Sequence, residues 1–194
     1  MRILVYGAGV QGCELAHRLL QNKKNVVTML ARGEWKERLD QRGLVIRHWA
    51  QCRTTVDRVA TIDTLAPDDC YDLVFVTMQA GQLPDVLPIL KQNRSEYFVF
   101  VGNDPHAVEV MQAMQRPADK IAVGFQSSGG HREVDKVVSA HVGVDMTIGG
   151  ATAPLSGVFR YRVKTAFEGA KYKLTFVSDM DGCVSYTHLA LPTR

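Results

Sequence analysis

The 194-residue chain has only four cysteines, and they are scattered through it. None of them forms the short Cys or His spacings that are typical of a zinc site. A cytosolic chain would keep such cysteines reduced. We therefore expect no metal site and a purely structural role for the cysteines, which are Cys13, Cys52, Cys70 and Cys183.

The sequence also lacks a long apolar run. No stretch approaches the length of a membrane span, and residues 1–6 resemble a strand rather than an export signal with a charged region and a cleavage site. The net charge is only +3, and acidic and basic residues are interspersed, so no basic stripe suggests a nucleic-acid surface. These absences predict a cytoplasmic protein that binds neither membrane nor nucleic acid and whose charge suits a small anionic ligand.

What the sequence does contain is a glycine-rich turn near its start. Residues 3–6 are apolar, glycines follow at Gly7, Gly9 and Gly12, and residues 13–20 have a helical pattern. This order of strand, turn and helix is the context of a dinucleotide-binding fingerprint. Gly7 would permit the tight turn, Gly9 the approach of a pyrophosphate, and Gly12 close packing of helix on sheet. The alternative is a purely structural turn. We predict a dinucleotide site formed by Gly7, Ala8, Gly9, Val10, Gln11 and Gly12.

A single arginine after the second strand indicates which dinucleotide is bound. Residues Val26–Leu30 form a β-rich run, and Arg32 follows it by two positions. An acidic residue there would bind the ribose 2′-hydroxyl of NAD, whereas an arginine accommodates the 2′-phosphate of NADP. No acid lies between Asn25 and Gly33. The sequence therefore predicts NADP(H), the alternative being a solvated arginine at the start of a loop.

Strand and helix patterns alternate along most of the chain, which predicts an α/β fold of the Rossmann type. We expect a doubly wound, mostly parallel sheet with an antiparallel edge. The helices are expected at residues 13–20, 33–42, 82–92, 105–114 and 155–170, the last with Val158, Val163, Ala166 and Phe167 on its buried side. Parallel strands are expected at residues 3–6, 26–30, 71–78, 97–102 and 120–125, followed by a short strand at 174–177.

Two further pairs of short strands complete the expected topology. Residues 44–49 and 53–59 would pair as an antiparallel excursion at the edge of the sheet, and residues 134–141 and 144–149 would form a second antiparallel pair. His48 lies in the first excursion and is interpreted as a surface or packing residue. The carboxyl ends of the central parallel strands would bring Met78, Gln79 and Asn103 to the edge that carries the glycine turn.

Several segments together resemble the N-terminal domain of the ketopantoate reductase family. They are VYGAGVQG at 5–12, LVFVTMQAGQ at 73–82, VFVGND at 99–104 and MTIGG at 146–150, with Arg32 between the first two. The resemblance covers about residues 1–182 and implies NADPH-dependent reduction of a 2-oxo acid. It also implies that the glycine turn and Arg32 hold the cofactor and that Asn103 contacts both cofactor and substrate as the catalytic residue.

The chain departs from the pattern of this family at three places. Gln79 stands where the type enzymes have a lysine, and Asp104 stands where they have a glycine. The family's helical C-terminal domain, which supplies a lysine and an acidic residue, is not recognisable. Instead residues 183–194 resemble a non-native or disordered tail.

These departures predict a fragment that binds NADPH but is inactive alone, with a bare docking face that favours aggregation or a loose homodimer. Two alternatives stay open. One is a non-catalytic NADP-binding sensor or scaffold, and the other is a different NADP-linked hydroxy-acid dehydrogenase.

Overall fold

The computed structural model describes residues 1–102, 107–140, 143, 145–150, 152–178 and 180. Asn103, Asp104 and residues 183–194, which carry predictions from the sequence, lie outside these residues.

The first part of the chain contains two helices and five strands. In chain order they are β1 (Arg2–Tyr6), α1 (Val10–Leu19), β2 (Val26–Leu30), α2 (Gly33–Arg42), β3 (Leu44–His48), β4 (Arg53–Asp57) and β5 (Ala60–Ile62).

The described remainder of the chain contains three helices and seven strands. They are β6 (Leu73–Val76), α3 (Leu83–Gln92), β7 (Phe98–Val101), α4 (Ala107–Met114), β8 (Ile121–Ser127), β9 (Gly130–Arg132), β10 (Val137–Ser139), β11 (Asp145–Gly149), α5 (Gly157–Ala166) and β12 (Lys173–Phe176).

The described residues form two sheets, and the larger has eight strands in the order β12-β11-β8-β7-β6-β1-β2-β5. Its six strands from β8 to β5 are mutually parallel and have the strand order of a Rossmann fold. β11 joins β8 in the antiparallel direction, and β12 then runs parallel to β11. The prediction of a Rossmann-type, mostly parallel sheet with an antiparallel edge is therefore confirmed. The antiparallel strand is β11, whereas the sequence predicted an antiparallel edge formed by residues 44–49 and 53–59.

The second sheet has four strands in the order β4-β3-β10-β9. The antiparallel pairing of β3 with β4 agrees with the prediction, but these strands do not lie at the edge of the large sheet. The expected pairing of residues 134–141 with 144–149 is wrong, because β10 pairs with β3 and β9 while β11 belongs to the large sheet. Both errors concern which of two sheets a strand joins. The alternation of apolar and polar residues along a strand does not determine that choice.

Two smaller details of the large sheet also differ from the prediction. The three-residue strand β5 was not expected, and it completes the parallel set beside β2. In α5 the buried positions are Phe159, Val163 and Ala166, whereas Val158 is 56% exposed. Val163 and Ala166 are buried as predicted, as is Phe167 at the C-cap, so only Val158 is wrong, and the adjacent Phe159 is buried instead.

Alternating residues of the central strands divide the core into two halves. Ile3 and Val5 of β1 pack on one face with residues of α1, α2 and α5. Leu4 and Tyr6 pack on the other face with residues of α3 and Met114. Because successive side chains of a strand point to opposite faces, a strand buried on both sides must be apolar throughout, as β6, β7 and residues 3–6 of β1 are.

A cluster of buried polar side chains joins α1 to the second sheet. Glu14 is fully buried, and its carboxylate lies 3.8 Å from Nδ1 of His48. His17 lies beside His48, with 5.2 Å between ring centroids, and its Nδ1 is 2.6 Å from a carboxylate oxygen of Asp57. His48 Nε2 is within hydrogen-bond distance, 3.0 Å, of Thr55 Oγ1. His48 is thus a buried packing residue, which agrees with its interpretation from the sequence.

We expect His48 to make the stability of the fold depend on pH. Burial lowers its pKa, assisted by the charges of His17, Arg53 and Arg18 and opposed by the Glu14 carboxylate. The unfolded chain therefore binds more protons in the range where histidine titrates, so the contribution is complete above about pH 6.5 and is lost as the pH falls below it. One group can change the unfolding free energy by at most about 1.4 kcal/mol per pH unit.

Urea unfolding of wild type and His48→Gln between pH 7.5 and pH 5 measures this effect. The wild type should lose more stability than the variant on acidification, because the glutamine side chain does not titrate. Equal losses in the two proteins would show that other groups cause the acid sensitivity.

Candidate functional site

The turn between β1 and α1 has the strained backbone that its first glycine allows. Gly7 has φ = +117°, and a Cβ added there would lie 2.8 Å from Thr77 Oγ1 and 3.0 Å from the Thr77 carbonyl oxygen. The Thr77 hydroxyl donates a hydrogen bond to the Gly7 carbonyl at 3.0 Å. The start of the turn is therefore held against the end of the neighbouring strand β6.

Gly12 permits α1 to pack directly on this turn. A Cβ at Gly12 would overlap the Gly7 carbonyl oxygen and would lie 2.7 Å from Thr77 Oγ1. Backbone and a fixed hydroxyl occupy this space, so no side chain can be accommodated without moving the helix. The prediction that Gly12 allows close packing of helix on sheet agrees with this geometry.

Gly9 has a different environment from the other two glycines. It is the N-cap of α1 with φ = −77°, a conformation open to any residue, and a Cβ there would meet nothing within 4 Å. No side chain caps the helix and its first turn carries no acidic residue, so the backbone N–H groups of this turn remain available to an anion. The open space at Gly9 therefore adjoins an anion-binding helix terminus.

The glycine turn forms one wall of a cleft of about 550 Å³ at the carboxyl ends of β1, β2 and β6. This is the edge at which open α/β sheets bind ligands. The cleft brings together residues from the turn, from the end of β2, from the end of β6 and from the second sheet. It is lined by Tyr6, Gly7, Ala8, Gly9, Val10, Leu30, Ala31, Arg32, Trp35, Thr77, Met78, Gln79, Gln82 and Arg132.

Arg32 is an exposed cation that lines the cleft just after the end of β2. It is the N-cap of α2, with extended backbone, and its positive charge acts on the hydroxyl of Tyr6. Burial raises the pKa of Tyr6, and the nearby guanidinium partly opposes that increase. Tyr6 therefore stays a neutral phenol beside the Arg32 guanidinium.

Two predicted residues belong to the turn but do not line the cleft. Gly12 is buried behind it, and Gln11 is held through its backbone, whose carbonyl accepts a hydrogen bond from Gln126 Nε2 at 3.2 Å. The amide oxygen of Gln126 in turn accepts a hydrogen bond from the Tyr172 hydroxyl at 3.0 Å. These contacts tie the first turn of α1 to the end of β8.

The strand end beside the glycine turn supplies Met78 and Gln79. Met78 is half-buried against Gly7, and Gln79 is exposed at the start of the short helical turn that precedes α3. The backbone N–H of Gln79 donates to the side chain of Gln82 at 3.4 Å. Gly102 follows β7 and adjoins the Met78 carbonyl, so the chain reaches this same edge immediately before Asn103, which lies outside the described residues.

Trp35 and Arg132 are cleft residues that sequence reasoning missed. Trp35 lies in the first turn of α2 and is only 9% exposed, and the Arg132 guanidinium lies over its ring at 5.1 Å from the centroid. Both influence Cys13, a fully buried free thiol whose pKa burial raises to about 12 while Arg132 and Trp35 act in the opposite direction. Arg132 comes from β9, whose position depends on the second sheet, so no local pattern could have placed it here.

Within the residues described by the structure, no group of His, Cys, Asp or Glu side chains could hold a metal ion. No helix in that same part of the chain is long and apolar enough to cross a membrane.

Comparison with known proteins agrees with this fold. A family model described as ketopantoate reductase PanE/ApbA matches residues 3–152, which is most of the chain. The chain therefore belongs to the ketopantoate reductase PanE/ApbA family. A comparison with curated protein sequences finds no significant match.

Solved structures share the fold at low sequence identity. The 2-dehydropantoate 2-reductase of Porphyromonas gingivalis W83 superposes with a TM-score of 0.80 at 14% identity, over 96% of this chain and 67% of that one. The enzyme of the same name from Methylococcus capsulatus gives 0.74 at 16% identity, over 95% and 59%. D-mandelate dehydrogenase in complex with NADH and anilino(oxo)acetate gives 0.75 at 15% identity, over 91% and 57%. The chain thus spans about three fifths of the length of the last two structures.

Valine substitutions at Gly9 and Gly12 should separate the two roles of the turn. Gly12→Val should lower the unfolding free energy by about 3 kcal/mol or more, because the new side chain overlaps backbone and the Thr77 hydroxyl. Gly9→Val should change it by about 1 kcal/mol or less, because its side chain enters open space. Urea unfolding, compared at equal m-values, measures both. A Gly12→Val protein as stable as wild type would contradict the close packing described above.

Proposed function

We propose that this chain binds NADP(H) in the cleft and is the cofactor-binding part of a reductase that acts on a 2-oxo acid. The single observation that carries the proposal is the combination of an open, uncapped glycine turn with an exposed arginine at the end of β2. Membership of the ketopantoate reductase family supports the class of reaction.

The glycine turn fits the pyrophosphate of a dinucleotide. Gly9 leaves the approach to the backbone clear, and the N-terminus of α1 offers N–H groups and the positive end of the helix dipole. The turn is also rigid, because Thr77 fixes it against β6. A preformed backbone cradle of this kind binds an anion without ordering any side chain.

Arg32 favours NADP(H) over NAD(H). Its guanidinium lies in the position where this class of fold selects between a ribose hydroxyl and a ribose phosphate. No carboxylate lies among the described residues that line the cleft, so nothing there would accept hydrogen bonds from a free ribose diol as an aspartate or glutamate does. A guanidinium pairs bidentately with a phosphate group instead.

The nicotinamide ring supplies the hydride when the cofactor is bound, and the protein binds and orients the reactants. We propose that Asn103 contacts cofactor and substrate, with Met78 and Gln79 at the neighbouring strand end. The position of Gly102 beside Met78 supports this assignment, since Asn103 is the next residue in the chain.

Replacing Arg32 should remove the preference for NADPH. A charge-assisted contact with phosphate is worth about 1.5–3 kcal/mol, so wild type should bind NADPH roughly tenfold to a hundredfold more tightly than NADH. Arg32→Ala should make the two affinities nearly equal, because it weakens the binding of NADPH and leaves the binding of NADH unchanged. Titration of both cofactors, followed by nicotinamide fluorescence, measures the ratio.

Gly9→Val is the matched control for this experiment, because it should abolish binding of both cofactors while the protein stays folded. Equal affinities for NADPH and NADH in wild type would overturn the assignment of NADP(H). Normal binding by folded Gly9→Val would show that the turn is only structural.

A second candidate, a sensor that binds NADP(H) without turnover, is favoured by the composition of the cleft. Gln79 is neutral where the resemblance implies a lysine, and the described cleft residues include no carboxylic acid, histidine or lysine that could protonate an alkoxide. The third candidate, another NADP-linked hydroxy-acid dehydrogenase, is supported by the fold shared with D-mandelate dehydrogenase.

We expect residues 1–194 to bind NADPH but not to oxidise it when 2-oxo acids are added. The reason is that the described cleft residues include no carboxylic acid, histidine or lysine, and that burial raises the pKa of the Tyr6 phenol and makes it a weaker acid. The purified chain is incubated with NADPH and a panel of 2-oxo acids, including ketopantoate, and absorbance of the nicotinamide is followed. Oxidation that depends on one of these acids would identify the substrate and would place the proton donor within this chain.

The remaining proposals concern the organisation of the protein. The division into a cofactor-binding domain at 1–182 and a non-native tail at 183–194 stays a prediction, as do the cytoplasmic location and the homodimer.

A further inference from the structure

Arg132 is a cation that the second sheet contributes to the cofactor cleft. It is the last residue of β9, which pairs with β10 in antiparallel register, Arg132 facing Val137. Its side chain nevertheless lines the cleft together with the glycine turn and Arg32. The cleft therefore contains two guanidinium groups from different sheets and, among its described lining residues, no carboxylate.

The ring of Trp35 determines where this guanidinium lies. Trp35 is nearly buried in the first turn of α2, immediately after the N-cap residue Arg32. The Arg132 guanidinium lies over the Trp35 ring at 5.1 Å from its centroid, so its charge lies beside the N-terminus of α2. β9, which ends in Arg132, also packs against α1. Arg132 is thus positioned between the N-termini of α1 and α2.

The charge of Arg132 is not neutralised by the acidic residue beside it. Glu133 pairs with Lys136 at 2.7 Å and with His131 at 3.4 Å, and no ion pair involves Arg132 in the described parts of the chain. Arg132 is also exposed. Two guanidiniums that share a cleft repel each other unless an anion lies between them, which makes the pair a binding site for a group of more than one negative charge.

We propose that Arg132 and Arg32 together bind the ribose 2′-phosphate of the cofactor, and that Arg132 is a second residue determining specificity for NADP(H). This inference rests on the proposed binding of NADP(H) to the cleft. The pyrophosphate belongs at the uncapped turn of α1, whereas the 2′-phosphate belongs at the end of β2. Arg132 is stacked on a residue of α2, the helix that begins there, and so lies on the side of the 2′-phosphate.

Two nucleotide fragments isolate the phosphate in question. Adenosine 2′,5′-bisphosphate and adenosine 5′-phosphate differ only in the 2′-phosphate, and each is titrated by calorimetry against wild type, Arg132→Ala and Arg32→Ala. Arg132→Ala should lower the affinity for the bisphosphate about tenfold and the affinity for the monophosphate less than about twofold. NADPH and NADH should show the same contrast. Arg132→Lys should recover part of the loss, because it keeps the charge but not the planar fork.

Arg47→Ala is the matched control, since Arg47 is an exposed arginine of β3 in the same sheet and does not line the cofactor cleft. It should leave both affinities unchanged. An equal loss for both fragments in Arg132→Ala would overturn the proposal and assign Arg132 to the pyrophosphate or to stability. Unchanged binding of both fragments would overturn it as well.

The wild type distinguishes failure of this inference from failure of the proposed function. If wild type prefers the bisphosphate and Arg32→Ala loses that preference while Arg132→Ala keeps it, only the role of Arg132 is wrong. If wild type binds neither fragment nor either cofactor, the proposed function fails and the role of Arg132 fails with it.

Discussion

The contact on which the rest of the structure depends is the approach of α1 to the end of β1. The first turn of the helix packs against the Gly7 carbonyl at a distance that excludes even a Cβ from Gly12. Thr77 completes the contact by donating to the same carbonyl from β6. Strand, turn and helix are thereby fixed in one geometry, and the helix terminus points into the cleft between the strand ends. Anion binding at that terminus needs no charged side chain, because the backbone is already oriented.

The second sheet is attached to the opposite side of the same helix. Glu14 and His17 of α1 face His48 and Asp57 of the second sheet in a buried cluster. Burying such groups costs free energy that pairing only partly offsets, so we infer that the main effect of the cluster is to fix the orientation in which the second sheet docks on α1. That orientation has a consequence for the site. β9 is held in the second sheet through β10, and it brings Arg132 to the cleft.

Much of the fold could be predicted from the sequence, because it follows from local patterns. β2 and α2 have the predicted bounds, and the apolar runs of β6 and β7 are central strands, as expected. The errors lie where distant segments compete for partners. β10 and β11 both alternate well enough to pair with each other, yet they belong to different sheets, and the choice depends on the packing of β10 against α1 and β3. A strand of three residues such as β5 leaves too short a pattern to recognise.

The site divides in the same way between local and distant contributions. Residues that follow parallel strands meet at one edge by topology alone, which is why Arg32, Met78 and Gln79 could be placed in the cleft from their positions in the sequence. Arg132 could not be placed in this way, because it lines the cleft only through the position of the second sheet, to which β9 belongs. The charge of the cleft is therefore a property of the tertiary structure. One guanidinium at the end of β2 is compatible with many anions, whereas two guanidiniums beside an uncapped helix terminus, with no described carboxylate lining the cleft, favour a ligand that carries phosphate at both places.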